Sequence, residues 1–418
     1  MALVRAAPLL LIHAAATVAP GHAADPARLV GAERLRPLFI ALATLDQKRA
    51  RGPVRILQIG DSHTANDSFS GRLRERLQSR FGAAGRGWLP AGVPYKYFQP
   101  RLVTVSETGW RHLRPSDADD KPLLGLDAVT ARAVEADARM TLSSSDADGF
   151  GRVAVEFVAR PGGQPLTIRV EQNPPVRIAT TAPKIGVRRS EVLLPKSAHQ
   201  LELVASGPPG TELLGWAVER RRSGVIYENH GSIGATVRLL ERLDPAAVSF
   251  ELADRRPALL VIAFGTNEGF RDGLDLGDYA ARFRAAIGSL ARRARGAAIV
   301  VLGPPDGNRR SGECSGEAGC RTSTAASGDS CAWTVPPKLV EVRAVQRRVA
   351  LRQGWAFWDW SAAMGDACSM HQGLGEDPPL AMSDHVHLSK AGYALTADRL
   401  FTDLMRAYHD WKRVPRRR

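Results

Sequence analysis

The sequence runs to 418 residues, of which 44% are hydrophobic and 24% charged, and its formal net charge is +14. The length exceeds that of most single domains and predicts either two folded units or one unit carrying a large insertion. The composition is that of an ordinary soluble globular protein and, with no low-complexity run or regular repeat, argues against disorder.

Residues 1–24, MALVRAAPLLLIHAAATVAPGHAA, start with one basic residue, Arg5, continue with an apolar stretch from Ala6 to Ala19, and end on small residues at Ala23 and Ala24. This pattern predicts a cleaved secretory signal peptide and a periplasmic or secreted protein. A membrane anchor is the alternative, but the stretch is shorter than the ~20 residues a spanning helix needs. No later segment reaches that length, so no transmembrane segment is expected. Cleavage would remove one positive charge and leave the chain basic. Such a charge favours polyanions in general, and export makes nucleic acid the least suitable of them.

Past the leader, Val54–Gly60 (VRILQIG) reads as a buried strand ending in a Gly-Asp-Ser turn. A helical pattern follows from Ser68 and stops at Gly82. Between Arg101 and Arg222 the pattern changes to alternating runs separated by Gly/Pro turns, at Arg152–Arg160, Pro165–Gln172 and His199–Ser206, which predicts antiparallel β structure. Strands then alternate with helices again: Leu259–Gly265, a helix near Asp278–Arg295, Ala297–Gly303, a helix near Pro337–Gln353, a short strand at Ala356–Trp360, and a last helix from about Ser389 to Trp411. That order implies a doubly wound parallel α/β sheet with helices on both faces, three layers in all. Residues 25–100 and 223–418 are thus expected to form one domain, interrupted by an antiparallel β-sandwich at 101–222.

Four cysteines in an exported chain are disulfide candidates. Cys314, Cys320 and Cys331 share a Gly/Ser-rich loop and Cys368 lies further on. Short loop closure favours Cys314–Cys320 with Cys331–Cys368. A zinc site would show tighter paired spacing with histidines, so no metal is expected.

A serine hydroxyl is a weak nucleophile unless an imidazole stands beside it and donors await the oxyanion. Ser62, in Gly60-Asp61-Ser62, falls beyond the carboxyl end of a parallel strand, where such sheets place their ligands. In SDHVHLSKAGY, Asp384 and His387 stand three residues apart, close enough for the carboxylate to orient the imidazole, while His385 between them is a decoy. Gly234 in ENHGSIGAT and Asn267 in AFGTNEG lie at other strand ends and offer a backbone N–H and an amide donor. Each feature alone has a structural explanation, as a turn, a cap or a surface histidine. Their joint order along the chain makes the case.

These four segments resemble the SGNH (GDSL) hydrolase family, whose blocks supply Ser, Gly, Asn and His in that order. The resemblance implies a flavodoxin-like sheet, Ser62, His387 and Asp384 as catalytic triad, and an oxyanion hole made by the N–H of Ser62, the N–H of Gly234 and the side chain of Asn267. It implies no cofactor. Glu268 replaces the Asp that many members carry after the Asn, which leaves the donor itself unchanged. GDSHTANDSFSGRLRERLQSRFG, FWDWSAAMG and DHVHLSKAGY look more closely like the periplasmic peptidoglycan O-acetylesterases, in which a sandwich similar to a carbohydrate-binding module interrupts the domain. Trp110 and Trp216 are candidates for stacking on sugar in that insertion, with a core role as the alternative.

The resulting expectation is a serine esterase that removes O-acetyl groups from the N-acetylmuramic acid of peptidoglycan, or a related glycan, through an acetyl-serine intermediate. A basic surface suits a polymer bearing peptide carboxylates. An O-acetyltransferase would use the same triad with a sugar as acceptor. A non-catalytic glycan-binding protein would have lost one of the four blocks, and none is lost.

Overall fold

The computed structural model describes residues 28–117, 122–311, 319–321 and 332–414. The expected signal peptide lies outside these residues, as do Cys314 and Cys331. Among the described residues no helix is long and apolar enough to cross a membrane.

Six strands build the central sheet: β1 (Leu29–Val30), β2 (Pro53–Gly60), β3 (Gly224–Gly231), β4 (Leu259–Ala263), β5 (Ala298–Leu302) and β6 (Ala356–Trp358). Their order is β1-β6-β5-β4-β2-β3, parallel throughout except for the antiparallel edge strand β1. Because successive side chains point to opposite faces, these strands feed two cores. Ile56, Val261 and Val300 join Leu38 of α1 (Arg36–Asp46), Leu73 of α2 (Ser68–Phe81) and Leu400 of the C-terminal helix Lys390–Arg413. Their neighbours Leu57, Leu260 and Ile299 join Leu252 of α3 (Pro245–Arg255), Ile287 of α4 (Leu276–Arg293) and Val345 of α5 (Pro337–Arg352). Apolar residues fill nearly every position of β4 and β5, as covering both faces requires.

β3 has only a short apolar run, Val225–Tyr227. Its buried residues include Glu228 and His230, held in an ion network in which Glu228 meets Arg55 at 3.1 Å and Arg255 at 3.0 Å. Periodicity alone therefore does not mark it as a strand.

The antiparallel part forms two sheets. One contains Val103–Thr108, Ala138–Ser144, Leu166–Val170, Asn173–Ile178 and Gln200–Ala205; the other contains Trp110–Leu113, Thr130–Ala133, Phe150–Ala159, Gly186–Ala198 and Glu212–Glu219. One buried cluster lies between them, with Met140, Ile168 and Leu203 from the first and Val153, Val155 and Phe157 from the second. Trp216 is fully buried in this cluster and Trp110 packs against it, so both tryptophans serve the core. Two features attach this part to the parallel sheet. Gly85–Pro90 pairs with Glu212–Glu219, so the antiparallel pairing starts well before Arg101. The outer face of the second sheet, with Ala154, Val158 and Ala217, packs onto Ala247 of α3.

Cys320 is bonded to Cys368, with their Cα atoms 5.7 Å apart. This corrects both expected pairings. A small three-stranded sheet, Arg309–Ser311, Cys320–Arg321 and Ala332–Thr334, fixes where Cys320 sits, and distance along the chain does not foretell that placement.

Candidate active site

β2 ends at Gly60, where a Cβ would lie 2.3 Å from Thr64 Oγ1 and 2.4 Å from the Ala263 carbonyl oxygen, so only glycine fits. Asp61 caps the short helix Ser62–Ala65 by accepting the His63 N–H at 3.0 Å. This turn leaves Ser62 half-buried at the carboxyl end of the sheet.

Ser62 Oγ lies 2.9 Å from His387 Nε2, and His387 Nδ1 lies 2.7 Å from Asp384 Oδ2. A carboxylate can only accept, so Nδ1 carries the proton and Nε2 is free to accept from the serine. Asp384 Oδ1 also accepts the backbone N–H of Val386 and of His387, each at 2.9 Å, which fixes the loop and the ring together. Burial would raise the Asp384 carboxyl, but the hydrogen bonds from His387 and Val386 outweigh it and hold the group below its usual value. His385 turns away from this chain of contacts, buried with its ring stacked on Trp333 at 3.4 Å.

The other two loops come from the strands on either side of β2. Ser232 N–H donates to the Gly60 carbonyl at 3.0 Å, and Asp61 N–H to that of Ala263 at 3.1 Å. Gly234 adopts a positive φ of 71°, and Asn267 Nδ2 donates to the Ala235 carbonyl at 2.8 Å, which ties the two loops together. Glu268 Oε1 adds a second tie by accepting Val237 N–H at 2.7 Å. The residue that departs from the family pattern is thus a brace for the Gly234 loop.

Residues 201–395 match the family described as GDSL-like Lipase/Acylhydrolase. A solved peptidoglycan O-acetylesterase is similar over 92% of this chain and 99% of its own, with a TM-score of 0.74 and 25% identity. Over residues 201–395 the chain resembles the SGNH (GDSL) hydrolases. It has the SGNH fold, is an esterase, and resembles the peptidoglycan O-acetylesterases. An acetyl xylan esterase (14% identity, 43% of this chain and 81% of the other, TM-score 0.29) and a family two carbohydrate esterase from Cellvibrio japonicus (13%, 74% and 98%, 0.27) are too distant to carry argument. No curated protein matches the sequence significantly.

Two features of this SGNH esterase have no signal in the sequence. The first is His63, which is fully buried with Nδ1 2.9 Å from the Tyr393 hydroxyl, while burial and His387 lower its pKa to about 3. The second is a cavity of about 950 Å³ that starts at Ala65 and Gly234, beside the nucleophile turn, and extends between the loops of the parallel sheet and the antiparallel part. The Tyr95 hydroxyl donates to the Ala65 carbonyl at 2.7 Å, pinning an aromatic loop onto the helix that bears Ser62.

Proposed function

We propose that this esterase removes O-acetyl groups from cell-wall glycan, with the 6-hydroxyl of N-acetylmuramic acid in peptidoglycan as the acetylated position. The observation that carries this reading is the unbroken line of contacts Ser62–His387–Asp384, at 2.9 and 2.7 Å, with a cavity large enough for sugar lined by Ala65 of the Ser62 helix and by Gly234. The likeness to a peptidoglycan O-acetylesterase supports the substrate.

In this reading Ser62 attacks the acetyl carbonyl while His387 takes its proton, and Asp384 stabilises the imidazolium. The N–H groups of Ser62 and Gly234 and the amide of Asn267 receive the oxyanion. His387 then protonates the departing sugar oxygen, leaving an acetyl-Ser62 ester. A water deprotonated by His387 attacks that ester, the bond to Ser62 Oγ breaks with return of the proton from His387 to Oγ, and acetate is released. Asn267 Nδ2 carries two hydrogens, so its bond to Ala235 leaves one for the oxyanion. No metal or organic cofactor takes part.

Residues 1–24 act as a signal peptide, placing the protein in the periplasm or outside the cell. The antiparallel part is a β-sandwich module that holds the glycan against the active site. The deciding experiment incubates the purified protein with O-acetylated peptidoglycan, with and without excess N-acetylglucosamine oligomers, and measures acetate and acetylated sugar. Steady acetate release, little altered by the oligomers, supports the esterase. Oligomers that emerge acetylated in place of free acetate identify a transferase.

A further inference from the structure

We infer that the cavity beside the nucleophile turn seats a carboxylate-bearing peptide stem of the glycan, gripped by Arg114 and Arg242; this rests on the peptidoglycan reading above. An acetyl group needs a small fraction of about 950 Å³, a volume typical of sites that enclose an entire ligand of several rings or residues. The space therefore fits what the acetyl group is attached to.

The charges lining the cavity divide into answered and unanswered. Asp67 meets Arg74 at 2.8 Å and Arg86 at 3.0 Å, and Asp127 meets His230 at 2.9 Å. Glu241 meets Arg282 at 3.1 Å, and Arg238 meets Asp278 at 3.2 Å. Arg114 and Arg242 differ: each donates to one backbone carbonyl, of Pro94 and of Pro115, and neither meets a carboxylate among the described residues. A guanidinium has five donors in a planar fork, so both arginines keep most of theirs for a ligand, and a carboxylate matches that fork in two parallel bonds.

Placement argues the same way. Arg114 comes from the antiparallel part and Arg242 from the segment that follows Gly234, so a ligand held by both spans the two parts of the molecule. Between them and Ser62, Tyr95 and Phe98 form a wall of rings 5.4 Å apart against which the apolar face of a sugar can lie. A glycan with its acetylated sugar at Ser62 would run along this wall and deliver its stem to the arginines. Both arginines are exposed, so their effect is expected to weaken with salt.

The test compares kcat/KM for acetate release from O-acetylated glycan fragments that keep their peptide stems and from the same fragments after an amidase has removed them. The wild-type protein is expected to prefer the stem-bearing fragments by roughly tenfold or more. Arg114→Gln with Arg242→Gln should bring that ratio close to one, and Arg406→Gln, on the C-terminal helix, should leave it unchanged. Equal kcat/KM for the two substrates in the wild type, or a ratio that the double variant does not move, overturns the assignment of the cavity while leaving the esterase reading intact. If neither fragment yields acetate although a chromogenic acetyl ester is cleaved, the peptidoglycan reading falls, and the stem site with it.

Discussion

The imidazole of His63 lies 5.1 Å from that of His387, centroid to centroid, on the residue next to Ser62. Burial, followed by the charge His387 can carry, depresses His63 to about 3, so it is neutral wherever the enzyme works and does not oppose an imidazolium on His387. His63→Phe should keep the ring packing but take from the buried Tyr393 hydroxyl one partner while Asn66 remains, at a cost of about 0.5–1.5 kcal/mol. The pH dependence has a definite sign. Unfolded histidine takes up a proton near pH 6.5 and folded His63 only near 3, so its stabilising contribution is complete above 6.5 and declines as pH falls toward 3. The slope is at most about 1.4 kcal/mol per pH unit. Denaturant melts at pH 7 and pH 5 should show the wild type losing more stability than the Phe variant.

Substitutions in the line of contacts should separate the true base from its neighbour. Ser62→Ala and His387→Ala should each lower turnover of a chromogenic acetyl ester by on the order of a thousandfold or more with the fold intact. His385→Ala, which removes a ring stacked on Trp333, should lower thermal stability and leave far more of the turnover. Near-normal turnover in the Ser62 variant would sink the nucleophile assignment. Asn267→Ala, losing an oxyanion donor and the tie to Ala235, should cost about a hundredfold in kcat.

The Cys320–Cys368 bond joins residues 48 positions apart in sequence. A constraint of that span stabilises by about 2–4 kcal/mol, chiefly by restricting the unfolded chain. Replacing both cysteines by serine should lower Tm accordingly while leaving the contact of Ser62 with His387 unbroken. Unchanged melting would show that the bond constrains nothing.

His230 behaves oppositely to His63. Burial would lower it, but the carboxylates of Asp127, 2.9 Å away, and Glu228, 3.6 Å away, outweigh burial and raise it to about 9. Its contribution is complete below pH 6.5, where the unfolded histidine is also protonated, and is lost as pH rises through 9. Relative to His230→Gln, the wild type should therefore lose stability between pH 6.5 and 9, measured by denaturant midpoints. A constant difference across that window would mean that His230 is not charged in the folded protein.

The legible parts of the site are the ones whose chemistry is local in the chain. Asp384 and His387 are three residues apart, and Ser62 follows an apolar strand at once, so spacing alone suffices. What escaped reading depends on partners far away: His63 finds Tyr393 330 positions on, and Asp127 finds His230 after 103. β3 is only partly legible, because after the apolar Val225–Tyr227 the buried polar residues Glu228 and His230 break the run. The cysteines illustrate a further limit, since three of them lie close enough for several closures and the small sheet around Cys320 decides.

The extent of the antiparallel part leads to the last prediction. Its pattern suggests a unit cut from Arg101 to Arg222 that could be excised with a short linker, leaving a working hydrolase. The packing argues against this. Leu124, Leu126 and Ala128 fall inside the cut, yet they belong to the core that holds Leu57, Ile59 and Phe264 of the parallel sheet. Leu126 N–H donates to the buried Glu251 carboxylate at 2.7 Å, and Asp127 is the partner of buried His230. Excision would also expose the face of α3 that Ala154, Val158 and Ala217 cover, and would strand Gly85–Pro90 without Glu212–Glu219. Losing buried leucines of this kind costs about 2–5 kcal/mol apiece, against a total stability of about 5–15 kcal/mol for a typical domain. A protein lacking residues 101–222 should therefore be insoluble or unfolded by circular dichroism and inactive even on a small soluble ester. Leu126→Ala alone should lower stability by about 2–5 kcal/mol. A soluble, cooperatively melting excision variant that still cleaves the small ester would show that the parallel sheet does not depend on this packing.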